Sequence, residues 1–260
     1  MADIILKNAN GEPIEYTGVS KIKVPTTDGG TAIFSEGSGS GSGSGSTTSS
    51  LKNYLDVKRS CYEFFYGLNE LTNDELNEII SYDDTQNVRD MGYMFAECSN
   101  LTWIPLLNME NVTSMGYMCY SCYSLETLRL EKLIGAEYTI SYCHNLRKVD
   151  INSLETDWLD YEFSSCYSLK AIIIRSFGVE PSYLYGEDVF SGCSHFFGTV
   201  DSMYNPQGLK DGYIYIPREN IEAFKESSLF IDYNIQVRAL EDYTVDGTTT
   251  GDFDDAKAGL

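Results

Sequence analysis

The sequence predicts an α/β repeat solenoid with a parallel strand ladder, preceded by a small N-terminal β domain. Three observations predict it. Cysteines recur at near-constant spacing, apolar columns keep step with them, and a glycine-serine tract separates this repeat from a short alternating stretch at the N-terminus.

Cys98, Cys122, Cys143, Cys166 and Cys193 are separated by 24, 21, 23 and 27 residues. Self-similarity at that period marks stacked units, none of which can bury its apolar face alone. Leu101, Leu125, Leu146, Leu169 and Phe196 stand three residues after each cysteine, and Phe95, Cys119, Ile140, Phe163 and Phe190 three before. Both columns are candidate core.

In the first two units Met91, Met94, Phe95 and Cys98, then Met115, Met118, Cys119 and Cys122, recur at i, i+3, i+4 and i+7. That is the inward stripe of a short helix, so a helical or 3₁₀ segment is expected before each cysteine. After the cysteine the period changes to two, with Ile104 and Leu106, Leu128 and Leu130, Val149 and Ile151, and Ile172 and Ile174. These are expected as inward positions of short strands in a right-handed solenoid. The alternate positions then form a solvent face: Trp103, Pro105 and Leu107, Thr127, Arg129 and Glu131, Lys148, Asp150 and Asn152, and Ala171, Ile173 and Arg175.

A solenoid needs caps, because a terminal unit otherwise exposes apolar surface and an unpaired strand edge. Upstream, Leu51, Tyr54, Val57, Cys61 and Phe64 suggest a degenerate first unit, and Thr72 with Glu75 has capping-box spacing ahead of Leu76, Ile79 and Ile80. Downstream, Gly212 to Pro217 and Ile235 to Leu240 alternate as strands around a short amphipathic helix with Ile221 and Phe224.

Residues 1–34 alternate apolar and polar, with turn signals at Asn10-Gly11 and Asp28-Gly29-Gly30 between Ile4-Ile5-Leu6, Ile22-Lys23-Val24 and Ala32-Ile33-Phe34. So short a piece buries little surface by itself, so docking on a partner or on copies of itself is expected. The Gly-Ser tract, of a composition also used in engineered fusions, reaches roughly 20 Å as a coil. The expected organisation is 1–36 docking module, 37–50 linker, 51–87 N-terminal cap, 88–204 repeats, and 205–260 C-terminal cap and tail.

Composition narrows the function. With 39 acidic and 18 basic residues the formal charge is -21, which repels nucleic acid and anionic lipid. No stretch is long and apolar enough to span a membrane, and the start at Met1-Ala2-Asp3 shows no export signal. One core-facing thiol per repeat, without paired Cys-x-x-Cys or histidine partners, does not make a zinc or redox site. His144 and His195 have no nucleophile or carboxylate arrangement near them in sequence, so neither a catalytic residue nor a cofactor is expected.

Binding is the remaining class. Twenty tyrosines include a column five residues before the cysteine, Tyr93, Tyr117, Tyr138 and Tyr161. If Met91 and Met94 face inward, these point out, either as a packing ladder between units or as contact groups. Trp103, Arg129 and Lys148 are the strand-face candidates, with Trp103 either a binding anchor or a contact with the N-terminal cap.

The segment Asn87-Val88-Arg89-Asp90-Met91-Gly92-Tyr93-Met94-Phe95-Ala96-Glu97-Cys98-Ser99-Asn100-Leu101 resembles the BspA-like bacterial-surface leucine-rich repeat, and Asn111-Val112-Thr113-Ser114-Met115-Gly116-Tyr117-Met118 repeats it. The resemblance implies a leucine-rich-repeat solenoid and a binding role. Ile4 to Phe34, and the C-terminal stretch from Tyr213 through Gly251, are similar to flanks of repeat proteins encoded by phages of gut bacteria. That resemblance implies a non-enzymatic virion surface protein of head or tail-fibre type, made in the host cytoplasm. Its expected partners are a virion structural protein at the N-terminal module and a host-surface protein or glycan at the solenoid. A homo-oligomer is expected, a trimer if fibre-like, with a bacterial cell-surface adhesin as the alternative.

Overall fold

The computed structural model describes four strands of the N-terminal stretch by their backbone, and residues 55–135, 137–197 and 212–243 in full. The Gly-Ser linker, Leu51 and Tyr54, the segment 198–211 and the tail beyond Tyr243 lie outside the described residues. The strands β1 (Ile4–Lys7), β2 (Pro13–Tyr16), β3 (Lys21–Pro25) and β4 (Thr31–Ser35) pair antiparallel in chain order. The sequence expectation did not include β2, which opens on Pro13, a place where a missing N–H is tolerated.

Each coil of the solenoid has a turn side and a strand side. The turn side runs from Cys61 to Leu71 in the first described coil, and its equivalents end in Leu101, Leu125, Leu146, Leu169 and Phe196. It is not the short helix that the sequence spacing predicts; every coil here is a run of turns. Even-numbered amides of the second coil close turns of three residues, as in Met94 N to Met91 O and Cys98 N to Phe95 O. Odd-numbered amides reach the next coil instead: Tyr93 N to Gly116 O, Phe95 N to Met118 O, and Glu97 N to Tyr120 O.

This alternation requires two left-handed residues per coil. One column is Glu63, Tyr93, Tyr117, Tyr138, Tyr161 and Asp188, and the other is Gly67, Glu97, Ser121, Tyr142, Ser165 and Gly192, all at positive φ. A helix would leave no amide for the neighbouring coil, whereas this path divides its donors between turn and ladder. Over seven residues a four-residue turn repeat and a helical turn give the same apolar spacing, which is why the sequence read as helix.

The inward columns form one continuous core. Each thiol of the main column also donates to a carbonyl of the preceding coil: Cys98 Sγ to Phe65 O at 3.0 Å, Cys122 to Phe95 O at 3.1 Å, Cys143 to Cys119 O at 3.1 Å, Cys166 to Ile140 O at 3.1 Å, and Cys193 to Phe163 O at 3.0 Å. Cysteine fits because it is small, largely apolar and carries one weak donor. The first coil departs from the expected register. Leu68 stands in the thiol column, Cys61 in the column of Met91 and Met115, and Val57 is exposed rather than inward.

The strand side is a parallel sheet of β5 (Thr127–Leu133), β6 (Lys148–Leu154), β7 (Ala171–Ile174), β8 (Tyr213–Ile216) and β9 (Val237–Ala239), in that order. The strand expected around Ile104 and Leu106 does not form. Pro105 has no N–H to give, and Leu107, expected outside, is buried while Leu106 is only half-buried. Side chains close this edge: Asn73 donates to Trp103 O and accepts from Thr102 N, Glu131 accepts from Met109 N, and Lys132 donates to Glu110 O.

Helix α1 (Asn73–Ile79) has the expected capping box, with Thr72 accepting from Glu75 N and the Glu75 carboxylate accepting from Thr72 N. After the last turn ladder comes α2 (Ser194–Phe197), and beyond β8 come α3 (Ile221–Lys225) and α4 (Ser228–Tyr233). Tyr233 completes the C-terminal cap: its hydroxyl accepts from Val189 N and donates to Gly186 O, both at 3.2 Å.

Candidate binding face

The strand face is not the open surface that alternation predicts. Ala171, Ile173 and Tyr215 point away from the main core into a second, smaller one, against which Tyr213, Leu240 and Tyr243 pack. Thr127, Lys148 and Asp150 are buried with them, and Lys148, a predicted contact residue, is 1% exposed with its Nζ 5.1 Å from the Tyr243 ring centre. The extra strands and the C-terminal turn bring this cover, and the repeat pattern carries no trace of it. Arg175 makes a two-point bond to Asp150, at 2.8 and 2.6 Å, where a partner would otherwise reach the sheet. Arg129 stands in register with Asp150 on β5 and is half-buried. Trp103 is half-buried too, and its carbonyl bond to Asn73 ties its backbone to the N-terminal cap.

The turn side presents a different surface. Tyr93, Tyr117, Tyr138 and Tyr161 lie one per coil with rings nearly parallel, the centres separated by 4.7, 5.2 and 4.8 Å. The sequence left packing ladder and contact surface as alternatives, and this geometry supplies the ladder directly. Face-to-face stacking uses the ring faces, and what remains outward is a row of edges and phenol oxygens at coil spacing.

Each of these tyrosines has φ between 55° and 59°, a region that bulky side chains avoid. The left-handed conformation costs roughly 1–2 kcal/mol for a residue with a Cβ. Stacking and the inter-coil amide bonds offset it, since an offset aromatic pair contributes about 0.5–1.5 kcal/mol beyond burial. Burial within the stack pushes the Tyr117 hydroxyl upward, and for Tyr161 the Asp188 carboxylate is the main cause of the same shift. The Tyr117 and Tyr161 phenols are thus neutral hydrogen-bonding groups at neutral pH.

Sequence reasoning missed two further groups on the same side. Tyr123, His144 and Tyr167 occupy the position just after the cysteine and form a second row, with ring centres 4.8 and 4.7 Å apart. His144, which has no nucleophile or carboxylate arrangement near it in sequence, is thus an aromatic spacer. The signal was present as a column but was read only at the histidine. Between the rows, Tyr120 packs against Tyr117 and Tyr142, and Tyr66 donates to Glu97 Oε1 at 3.1 Å. The second missed group is Trp158 with Tyr185, placed side by side by a parallel bridge. Unequal coil lengths kept that pair from lining up in sequence.

The thiols offer no chemistry to solvent. All seven are buried and unpaired in disulfides, and desolvation raises the Cys122 thiol to about 12 and the Cys98 thiol well above its usual value. Among the described residues no grouping of His, Cys, Asp and Glu could hold a metal ion, and no helix is long and apolar enough to cross a membrane.

A family model for the BspA type leucine rich repeat region matches residues 63–196 in 6 copies, just over half of the 260 residues. Its start at residue 63 falls within the first described coil, Cys61–Leu71. No curated protein and no solved structure matches the chain. Matched turn ladders, a thiol column and a parallel sheet all fall within that span or extend it, and the chain belongs to the BspA type leucine-rich repeat family.

Proposed function

We propose that this protein is a non-enzymatic adhesive module whose turn side, and not its strand side, contacts the partner. One observation carries the reading: the sheet's outer face is covered by a second core at Ala171, Ile173 and Tyr215, while the turn side offers the phenol row of Tyr93, Tyr117, Tyr138 and Tyr161 together with the exposed Tyr123 and Tyr167. A periodic array of neutral donors and acceptors on a rigid backbone suits a protein or glycan surface, because the ordering cost is met during folding.

The finer reading is display on a phage particle, with residues 1–34 as the attachment module and the solenoid directed at the host or its surroundings. It is supported by the likeness of both flanks to repeat proteins of gut phages. Several copies on one particle would convert weak individual contacts into avidity. Mass spectrometry of purified particles tests the location: the chain is expected in virions, and finding it only on bacterial envelopes would favour the cell-surface alternative.

The face is tested with Tyr117→Phe and Tyr138→Phe, which keep the rings stacked and remove only hydroxyls. Adhesion of the double variant to host cells should fall about 30-fold, on the order of 1 kcal/mol for each of the two hydrogen bonds lost. Thermal stability should stay within a degree or two. Undiminished adhesion would move the contact off this face.

A further inference from the structure

Beyond the phenol row, the last coils carry an aromatic pair in an acidic setting. Trp158 and Tyr185 are 37% and 47% exposed, and their backbones are bridged in parallel. Such pairing points neighbouring side chains to the same side. The bridge is anchored on both flanks by Leu159 N to Tyr185 O and Tyr185 N to Asp157 O, so the pair is held on a rigid stretch.

Asp157, Asp160, Glu187 and Asp188 lie within three residues of one or the other. Asp160 accepts from Glu187 N at 2.7 Å, which draws the two coils' acidic turns together. Among the described residues no lysine or arginine forms a salt bridge with any of the four. Exposed rings on neighbouring coils offer faces for a planar cation, and the carboxylates close to them in sequence attract its charge.

We propose that the Trp158–Tyr185 patch docks a basic segment of a protein partner, with guanidinium groups over the rings and paired to the surrounding carboxylates. Arginine suits both halves of the site. Its planar cation stacks on an indole, and its donors fit a carboxylate two at a time. The net charge of -21 attracts any cation, and this patch adds two exposed rings on neighbouring coils to carboxylates that lack a salt bridge. This inference rests on the reading of the chain as a protein-binding module, and adds a partner chemistry at the end of the phenol row, where Asp188 lies against Tyr161.

The chain has 2 tryptophans, so the full-length Trp103→Phe protein leaves Trp158 as the only indole reporter. Hexa-arginine amide should quench its emission saturably, and hexa-lysine should bind more weakly. Calorimetric titration of the same peptide should show Trp158→Ala, and separately Glu187→Gln with Asp188→Asn, binding about 5- to 10-fold more weakly, as expected for one cation–π contact or one ion pair. Glu187 is exposed and Asp188 half-buried, and these near-isosteric replacements keep the inquiry open should Trp158→Ala unfold. Equal affinity in these variants would mean attraction by bulk charge alone and would overturn the proposal, as would no quenching at all. The Tyr117 and Tyr138 hydroxyl variants are read by cell adhesion, and Trp158→Ala, which leaves the phenol row in place, by peptide affinity, so failure of one reading is distinguishable from failure of the other.

Discussion

The two sides of each coil solve the same problem in opposite ways. On the strand side, extended backbone sends its amides to neighbouring strands, and the sheet is covered on one face by the main core and over part of the other by the small cluster of Ala171, Ile173 and Tyr215. On the turn side, alternate amides close turns and the rest bond the next coil, so the chain stays narrow and its outward columns stay at the surface. A regular ladder therefore does not imply an available face. What matters is whether later segments have somewhere to pack, and here β8, β9 and the Leu240–Asp242 turn occupy the sheet.

The largest expected effect breaks this contrast if it is wrong. Ile173 alternates as a solvent position by sequence but is fully buried. Ile173→Asp should cost about 4 kcal/mol or more, because it puts an unpaired charge into an apolar cluster. Tyr142→Asp, an outward substitution on the turn side, should cost far less. Chemical denaturation of both variants decides the matter: similar small losses would mean that the sheet's outer face is open after all.

A second effect lies inside the turn-side core. Glu162 occupies the column that Met94, Met118 and Val189 fill in other coils, is 1% exposed, and accepts only from Thr139 N at 3.3 Å, leaving Oε1 without a partner. Desolvation raises its carboxyl well above the usual value. The folded state therefore retains a proton that the unfolded state releases above about pH 4.5. Stability from this group is whole below that pH and falls by about 1.4 kcal/mol per pH unit as pH rises toward the folded value. Glu162→Met should flatten the decline and stabilise the protein at neutral pH, while changing little at pH 4. A wild-type stability that rises between pH 5 and 7, with Glu162→Met rising in parallel, would contradict this.

Much of this was legible in the residues. The cysteine period, the leucine column and the inward pairs of β5, β6 and β7 all stand where spacing puts them. The turn conformation was not, because Met91, Met94, Phe95 and Cys98 fit a helix and a double turn equally well. Left-handed backbone announces itself through glycine, and only Gly67 and Gly192 do so here; tyrosine, glutamate and serine conceal it elsewhere. Lys148 was misplaced for another reason. Period two assigns a side, but whether that side meets water depends on Tyr243, nearly a hundred residues away.

The smallest effect sharpens the account of the tyrosine stack itself. Tyr117 has a stacked ring on each side and backbone φ of 59°. Tyr117→Ala loses both stacked contacts, about 2 kcal/mol, along with the edge contact to Tyr120, but keeps a Cβ in the left-handed region. Tyr117→Gly loses the same contacts and relieves the backbone, so it should be more stable than the alanine variant by about 1 kcal/mol despite glycine's greater freedom when unfolded. That order is the reverse of what an ordinary helix gives, where glycine is the worse of the two by a similar amount. Denaturation midpoints for the pair therefore separate the double-turn backbone from the helix that the apolar spacing suggests, and alanine proving the more stable would restore the helix.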